Sequence, residues 1–362
     1  MRRPVPGGAV RDRRLTSAGR RRDLRGMEEV QERIRERVEA MPALNAVVLE
    51  LIRLTSDEGY ALREVVETLA SDTSLAARVL RVANSAYYGL PRRVESLQMA
   101  VSMIGIRALR RLVMNIATYD LFRVDLLGYG LDGGGLWAHS LAASLAAEEI
   151  CELVSYPHRE EMRLVALLHD VGKMVLSPLL GRDDLEKEGQ SLLAGGRAGA
   201  EAEKRIFGVD HAAVGAMVAD RWNLSPRFVE ILRCHHAPED SPNLPRGSAV
   251  VSLADTMVRE LIRSEEPFKA IMGLDRTALQ LLHLTEADLV PHLVRINSRI
   301  LEEIRYWTGD LVELPTGEGD AGVLVDEWEA AEEGLVTGLD REEDSAPGGW
   351  EGEPLPEGGE ED

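Results

Sequence analysis

Apolar residues recur along this chain three and four positions apart, the spacing of one face of a helix. Leu44, Val47, Val48, Leu51 and Ile52 make one such stripe, closed by Thr55-Ser-Asp; Leu62, Val65, Val66 and Leu69 make the next. Asp72 reads as the N-cap of a helix over Leu75 to Asn84, because its short side chain can accept from the first free backbone N–H groups. Ser96 caps a segment through Ile104, Gly105 breaks it, and Arg107 to Phe122 forms another helix. After a glycine-rich stretch at 128–135 the pattern restarts over Trp137 to Leu153 and Glu160 to His169. Residues 181–199 read as a polar, glycine-containing connection. Asp210 caps a helix from His211 to Trp222, and Ser225-Pro226 opens one that ends near His236. Ser248 to Arg263 and Glu286 to Tyr306 follow. No segment alternates with period two and no fixed repeat recurs, so the expected body is all-α.

Length and charge divide this body. The chain has 362 residues, 44% of them apolar, enough for two helical subdomains with real cores. The formal net charge of −20 is concentrated at the ends: residues 1–25 hold nine Arg against two Asp, and residues 310–362 hold nineteen acids against Arg341 alone. The tail at 309–362 is too poor in large apolar groups to offset ordering entropy, and is expected to be mostly disordered. Met27 opens a clean helical sequence. Residues 1–26 are therefore expected to be a disordered basic arm or an over-called start. The expected subdomains are 27–127 and 136–308, divided at the glycine-rich stretch.

Composition also removes several function classes. No run approaches the roughly 18 to 20 apolar residues of a membrane helix, so a cytoplasmic protein with no membrane contact is expected. Cys151 and Cys234 are too far apart for a CxxC site. Aromatic residues are only 4%, which argues against a base-stacking surface, and the acidic body argues against nucleic acid as a partner.

The candidate chemistry lies in the imidazoles and carboxylates. His139 lies early in one helix, His169-Asp170 ends the next, His211 starts a third, His235-His236 ends a fourth, and Asp255 sits midway along a fifth. Imidazole and carboxylate donors without sulfur suit one or two divalent ions (Fe, Mn, Zn, Ni, Co or Mg). His139, His169, Asp170 and Asp255 could supply four donors to one ion, leaving His211, His235 and His236 for a second. Asp170 could bridge two ions, and Lys173, one helical turn past His169, could steady a hydroxide or a phosphate. His158, His283 and His292 read as surface or structural histidines. Asn84, Ser85 and Tyr88 could close a helix end, bind a ligand or meet the other subdomain, with Gly89 turning the chain.

These blocks resemble the HDOD family, a bacterial branch of the HD superfamily. The N-terminal half is similar through Met41-Pro-Ala-Leu44, Ser71-Asp-Thr-Ser-Leu75, Ala83-Asn-Ser-Ala-Tyr-Tyr-Gly89 and Ala100-Val-Ser-Met-Ile-Gly-Ile106. The C-terminal half is similar through Trp137-Ala-His-Ser140, Leu167-Leu-His-Asp-Val-Gly-Lys173, Phe207-Gly-Val-Asp-His211, Trp222-Asn-Leu-Ser225 and His235-His236. The resemblance covers about residues 40–265 and implies two helical subdomains, the second an HD-like bundle. It implies a role in bacterial signalling, through other signalling proteins or a nucleotide ligand, often without catalysis. The ligand order is also similar to the HD-GYP phosphodiesterases. That implies an alternative, a metal-dependent phosphohydrolase of nucleotides or cyclic nucleotides in which Asp170 and Lys173 are catalytic. The sequence departs from those enzymes after His236, where Ala-Pro-Glu-Asp-Ser-Pro replaces a Gly-Tyr-Pro stretch. Asn45 and Thr73 stand where the HDOD pattern has proline.

Overall fold

The structure, a computed structural model, describes residues 17–54, 61–85, 88–131, 133–263 and 273–309. The expectations for residues 1–16 and 310–362 lie outside them. Among the described residues there is no strand; an isolated antiparallel bridge joins Leu126 to Leu131. No described helix is long and apolar enough to cross a membrane.

The N-terminal half comprises α1 (Ser17–Ala40), α2 (Ala46–Leu54), α3 (Leu62–Ala70), α4 (Thr73–Ala83), α5 (Leu97–Ile104) and α6 (Ile106–Phe122). Helix α1 starts ten residues before the helix expected at Met27 and takes in Gly26, a residue that weakens a helix without ending it. It lies along the C-terminal half, where Gln31 Nε2 donates to Phe207 O at 2.7 Å. Two donors from that half return the contact: Arg221 Nη1 to Met41 O at 2.9 Å and Trp222 Nε1 to Pro42 O at 3.1 Å. Side-chain caps set the shorter helices. Asp72 accepts from Leu75 N at 2.9 Å and Ser96 from Met99 N at 3.2 Å. Gly105, at φ 82, separates α5 from α6.

The C-terminal half comprises α7 (Gly135–Leu153), α8 (Arg159–Leu168), α9 (Gly172–Leu176), α10 (Arg182–Ala194), α11 (Gly196–Phe207), α12 (His211–Arg221), α13 (Pro226–Cys234), α14 (Pro245–Arg263), α15 (Arg276–Leu282) and α16 (Glu286–Gly309). The connection expected over 181–199 is instead two helices. Asp184 Oδ2 accepts from Gly181 N at 2.8 Å to start α10, and Gly195, at φ 60, turns the chain into α11. Tertiary packing here overrides a polar, glycine-flanked sequence.

Helix α7 is the centre of the fold. It is buried from Gly135 to Cys151 on almost every side, as its low amphipathicity requires. Helices α6, α8, α14 and α16 surround it. At its N-terminal end Trp137 meets Tyr119 and Trp307, with ring centroids 5.0 and 5.6 Å away. In its last turns the adjacent Glu148 and Glu149 are buried and ionically held. Glu148 pairs with Arg111, with Arg163 at 2.9 Å and with Arg299 at 3.0 Å. Glu149 pairs with Arg295, with His292 at 2.9 Å and with Arg299 at 3.3 Å. Its C-terminal residues, Cys151 and Glu152, line a cleft of about 1850 Å³ between the two halves.

Candidate metal centre

The elements aim their imidazoles inward by simple means. Asp210 accepts from Ala213 N at 2.8 Å, which starts α12 with His211 as its first residue. Ser225 caps α13, whose far end delivers His235 and His236. The end of α8 delivers His169 and Asp170, and the chain re-enters a short helix at Gly172. A Cβ on Gly172 would lie 2.1 Å from the carbonyl oxygen of His211. Only glycine lets α9 and α12 approach this closely.

All seven expected ligand residues come together. His139 Nε2 lies 3.3 Å from His169 Nε2, 3.2 Å from Asp255 Oδ1 and 3.6 Å from Asp170 Oδ2. His169 Nε2 is 3.3 Å from Asp170 Oδ2 and 3.7 Å from Asp255 Oδ1. On the other side of Asp170, Oδ1 lies 3.1 Å from His211 Nε2, without the alignment of a hydrogen bond. His211 Nε2 in turn lies 2.8 Å from His236 Nε2. Potential ligand atoms of His139, His169 and Asp170 fall within 4.8 Å of one another, as do those of His211, His235 and His236.

Hydrogen bonds behind the rings fix which nitrogens face inward. His169 Nδ1 meets Ala166 O at 2.7 Å, and His235 Nδ1 meets Leu232 O at 2.7 Å. A carbonyl only accepts, so each Nδ1 carries a proton, and in the neutral ring each Nε2 turns a lone pair into the cluster. The Glu203 carboxylate does the same for His211, 2.7 Å from its Nδ1. With the rings neutral, lone pairs and carboxylate oxygens face one another, and His235 Nε2 and Asp170 Oδ1 are buried without a hydrogen bond. Such a donor set fits one or two divalent cations, which would satisfy these atoms.

The electrostatics follow from burial against this charge. For His169, burial opposes the charged form, but the Asp170 and Asp255 carboxylates hold it up at about 10. For His211, burial is likewise overcome, chiefly by Glu203 and Asp170, to about 9. Burial and the neighbouring imidazoles push His235 down to about 3 and His236 well below its usual value. His139 is also lowered, by burial. Burial would raise both aspartates, but cationic neighbours (His169 and Lys173 for Asp170, Arg259 for Asp255) hold them well below the carboxylate range.

Lys173 Nζ donates to Asp170 Oδ2 at 2.7 Å and lies 5.6 Å from the Tyr129 ring centroid. Its place next to the cluster matches the expected one, although α9 begins afresh after the helix carrying His169. Sequence reasoning did not single out Glu203, Tyr129 or Arg259. Arg259, four residues after Asp255, was legible as a helical i,i+4 ion pair, at 2.7 Å.

The remaining expected residues lie elsewhere. Asn84 Nδ2 donates to Leu80 O and Val94 O at 2.7 and 2.8 Å, and its Oδ1 accepts from Val94 N at 2.7 Å. Ser85 Oγ donates to Tyr306 Oη at 2.9 Å, joining α4 to α16. Tyr88 is half-buried, and burial raises its phenol. The first two therefore act in turn closure and in contact between the halves. His292 pairs with Glu149, and Cys234 is buried.

A helical bundle that gathers imidazoles and carboxylates from successive helices onto one point defines a class of all-α proteins with a potential metal site of nitrogen and oxygen donors. Within that class, the chain belongs to the HDOD domain family, which matches residues 41–238. Solved structures share the fold. An HDOD domain protein of unknown function from Geobacter sulfurreducens is 26% identical, with a TM-score of 0.55 over 79% of this chain and 99% of that one. A candidate phosphohydrolase from Shewanella amazonensis SB2B is 20% identical, with a TM-score of 0.51 over 85% and 98%. A candidate signal transduction protein from Marinobacter aquaeolei VT8 is 16% identical, with a TM-score of 0.58 over 84% and 66%. An uncharacterized protein of Treponema pallidum is 24% identical over 253 residues, 66% of this chain. The chain spans 46% of that protein's length.

Proposed function

We propose that this chain is a signalling module held together by a divalent-metal centre, acting by binding a partner protein or a nucleotide-type ligand rather than by turnover. His139, His169, Asp170, His211, His235, His236 and Asp255 would hold one or two ions. The observation that carries this reading is burial. His169, His211 and His235 are 0% exposed and Asp170 is 1% exposed. The 1850 Å³ cleft is lined by none of these residues and lies toward the other end of α7. Of the seven residues, His139 and His236 reach solvent most, at 13% and 9% exposure, which favours a small cation over a phosphoester at this centre.

The test is metal analysis of protein purified without added metal, then a screen of phosphodiesters and phosphomonoesters with Fe, Mn, Zn, Ni, Co and Mg. Retained metal with no turnover is expected. Turnover that disappears in Asp170→Ala, with the fold intact, would replace this reading with the second one, a metal-dependent phosphohydrolase. That second reading has its own observation: Lys173 Nζ sits on Asp170. In it an ion held by these residues would supply Lewis-acid activation at phosphorus, and Lys173 would hold a charged oxygen of the substrate.

A further inference from the structure

Asp255 divides its two oxygens between different tasks. Oδ1 faces the centre, 3.2 Å from His139 Nε2 and 3.7 Å from His169 Nε2. Oδ2 faces away and accepts from Arg259 Nη1 at 2.7 Å. The same guanidinium reaches Thr256 Oγ1 from Nη2 at 3.4 Å. Arg259 is one helical turn beyond Asp255 on α14, and its side chain is 17% exposed.

The other side of the guanidinium lies against the turn between α10 and α11. A Cβ on Gly196 would fall 2.6 Å from Nη2, 2.7 Å from Cζ and 2.9 Å from Nη1 of Arg259. Any side chain at 196 would occupy the space the guanidinium fills. Gly195 and Gly196 have φ of 60° and 56°, so this backbone also favours glycine on conformational grounds. The pair is largely buried, at 17% and 5% side-chain exposure, and the desolvation cost of a buried ion pair offsets much of its attraction, so stability alone is a weak reason for such a fitted arrangement.

We propose that Arg259 is a positioning residue for the metal centre: seated in the gap at Gly196, it pins Asp255 Oδ2 and aims Oδ1 at the ion. This rests on the reading that Asp255 is a metal ligand. With one oxygen held by the guanidinium, the carboxylate offers the ion a single oxygen in a fixed direction. A freed carboxylate could rotate, bind through both oxygens or turn away. Gly196 touches no ligand and bears on Asp255 through Arg259. This side chain thus joins the α10–α11 turn to the metal site.

The test is titration of the full chain with Co²⁺, following its visible absorption, for the native protein, Arg259→Gln and Gly196→Ala. Thermal unfolding without metal identifies which variants fold. Arg259→Gln is expected to weaken Co²⁺ binding about tenfold or more, as loss of an outer partner of a metal ligand does elsewhere. Gly196→Ala is expected to do the same without touching a ligand. A folded Arg259→Gln with less than about a tenfold loss overturns the proposal. If that variant does not fold, the same threshold on Gly196→Ala decides. A native chain that binds no Co²⁺ overturns the metal reading itself, which separates the two failures.

Discussion

Glu203 holds His211 from two directions: its carboxylate accepts from the backbone N of His211 at 2.6 Å and from Nδ1 of the ring at 2.7 Å. Both residues are 0% exposed, so water cannot substitute for either bond. Glu203→Gln should therefore weaken binding of a divalent ion about 10- to 100-fold while leaving the helices formed. Competition with a colorimetric chelator would measure it, and an unchanged affinity would separate Glu203 from the centre.

Metal should also determine how much heat the fold withstands. An ion held at 100 times its dissociation constant adds about 2.7 kcal/mol to the native state. Chelation of the native protein is expected to lower Tm by several degrees. Asp170→Ala, lacking the shared carboxylate, is expected to show one Tm with and without chelator. Scanning calorimetry distinguishes these outcomes.

Stability of the metal-free fold and affinity for metal depend on pH with opposite signs. His169 at about 10 and His211 at about 9 lie above the usual imidazole value in the folded chain. Their contribution is present in full below the unfolded value of about 6.5 and fades as pH rises through 9 and 10. Metal-free protein should thus lose stability from neutral pH upward. Metal binding needs those same protons removed, so affinity should climb over that range. The gap in Tm between loaded and chelated protein should widen from pH 7 to pH 9, and a constant gap would contradict the assignment.

Glu148 should be among the most sensitive single positions outside the centre. Glu148→Ala leaves Arg163, whose side chain is 5% exposed, without the carboxylate it pairs with. Breaking such a buried pair costs about 3–5 kcal/mol. Arg299→Ala, at a site 35% exposed, should cost less. Urea unfolding monitored by helical circular dichroism would rank the two.

Asn84→Ala should destabilise the chain by about 1–3 kcal/mol, because three bonds closing the turn after α4 are lost, and should leave metal affinity unchanged. A change in metal binding would return Asn84 to the list of ligand-binding candidates.

How much of this was legible in the sequence varies with the physics involved. Helix α12 could be read because Asp210 announces its start and the stripe behind it is apolar. The order of the histidines made a shared site plausible, but their meeting depends on tertiary contacts such as Gly172 against His211, which no local pattern encodes. Glu203 was missed because the start of α11 reads as part of a glycine-containing connection and no helix was expected between 199 and Asp210. It turns inward only when Gly208, at φ 74, folds α11 back on α12. Helix α10 was missed because its polar composition matches that of a connection.

One helix carries three of the features described above. Helix α7 bears His139 near its start, Glu148 and Glu149 in its last turns, and Cys151 and Glu152 along the cleft between the two halves. Its 19 residues form a rod about 28 Å long with no internal hinge. A rotation of 10° about its axis would shift side-chain tips lying 5–6 Å out by about 1 Å. Coordination distances tolerate only about 0.2 Å. A twist of this rod at the cleft would be felt by an ion at the centre, and an ion seated there would set the angle of the rod.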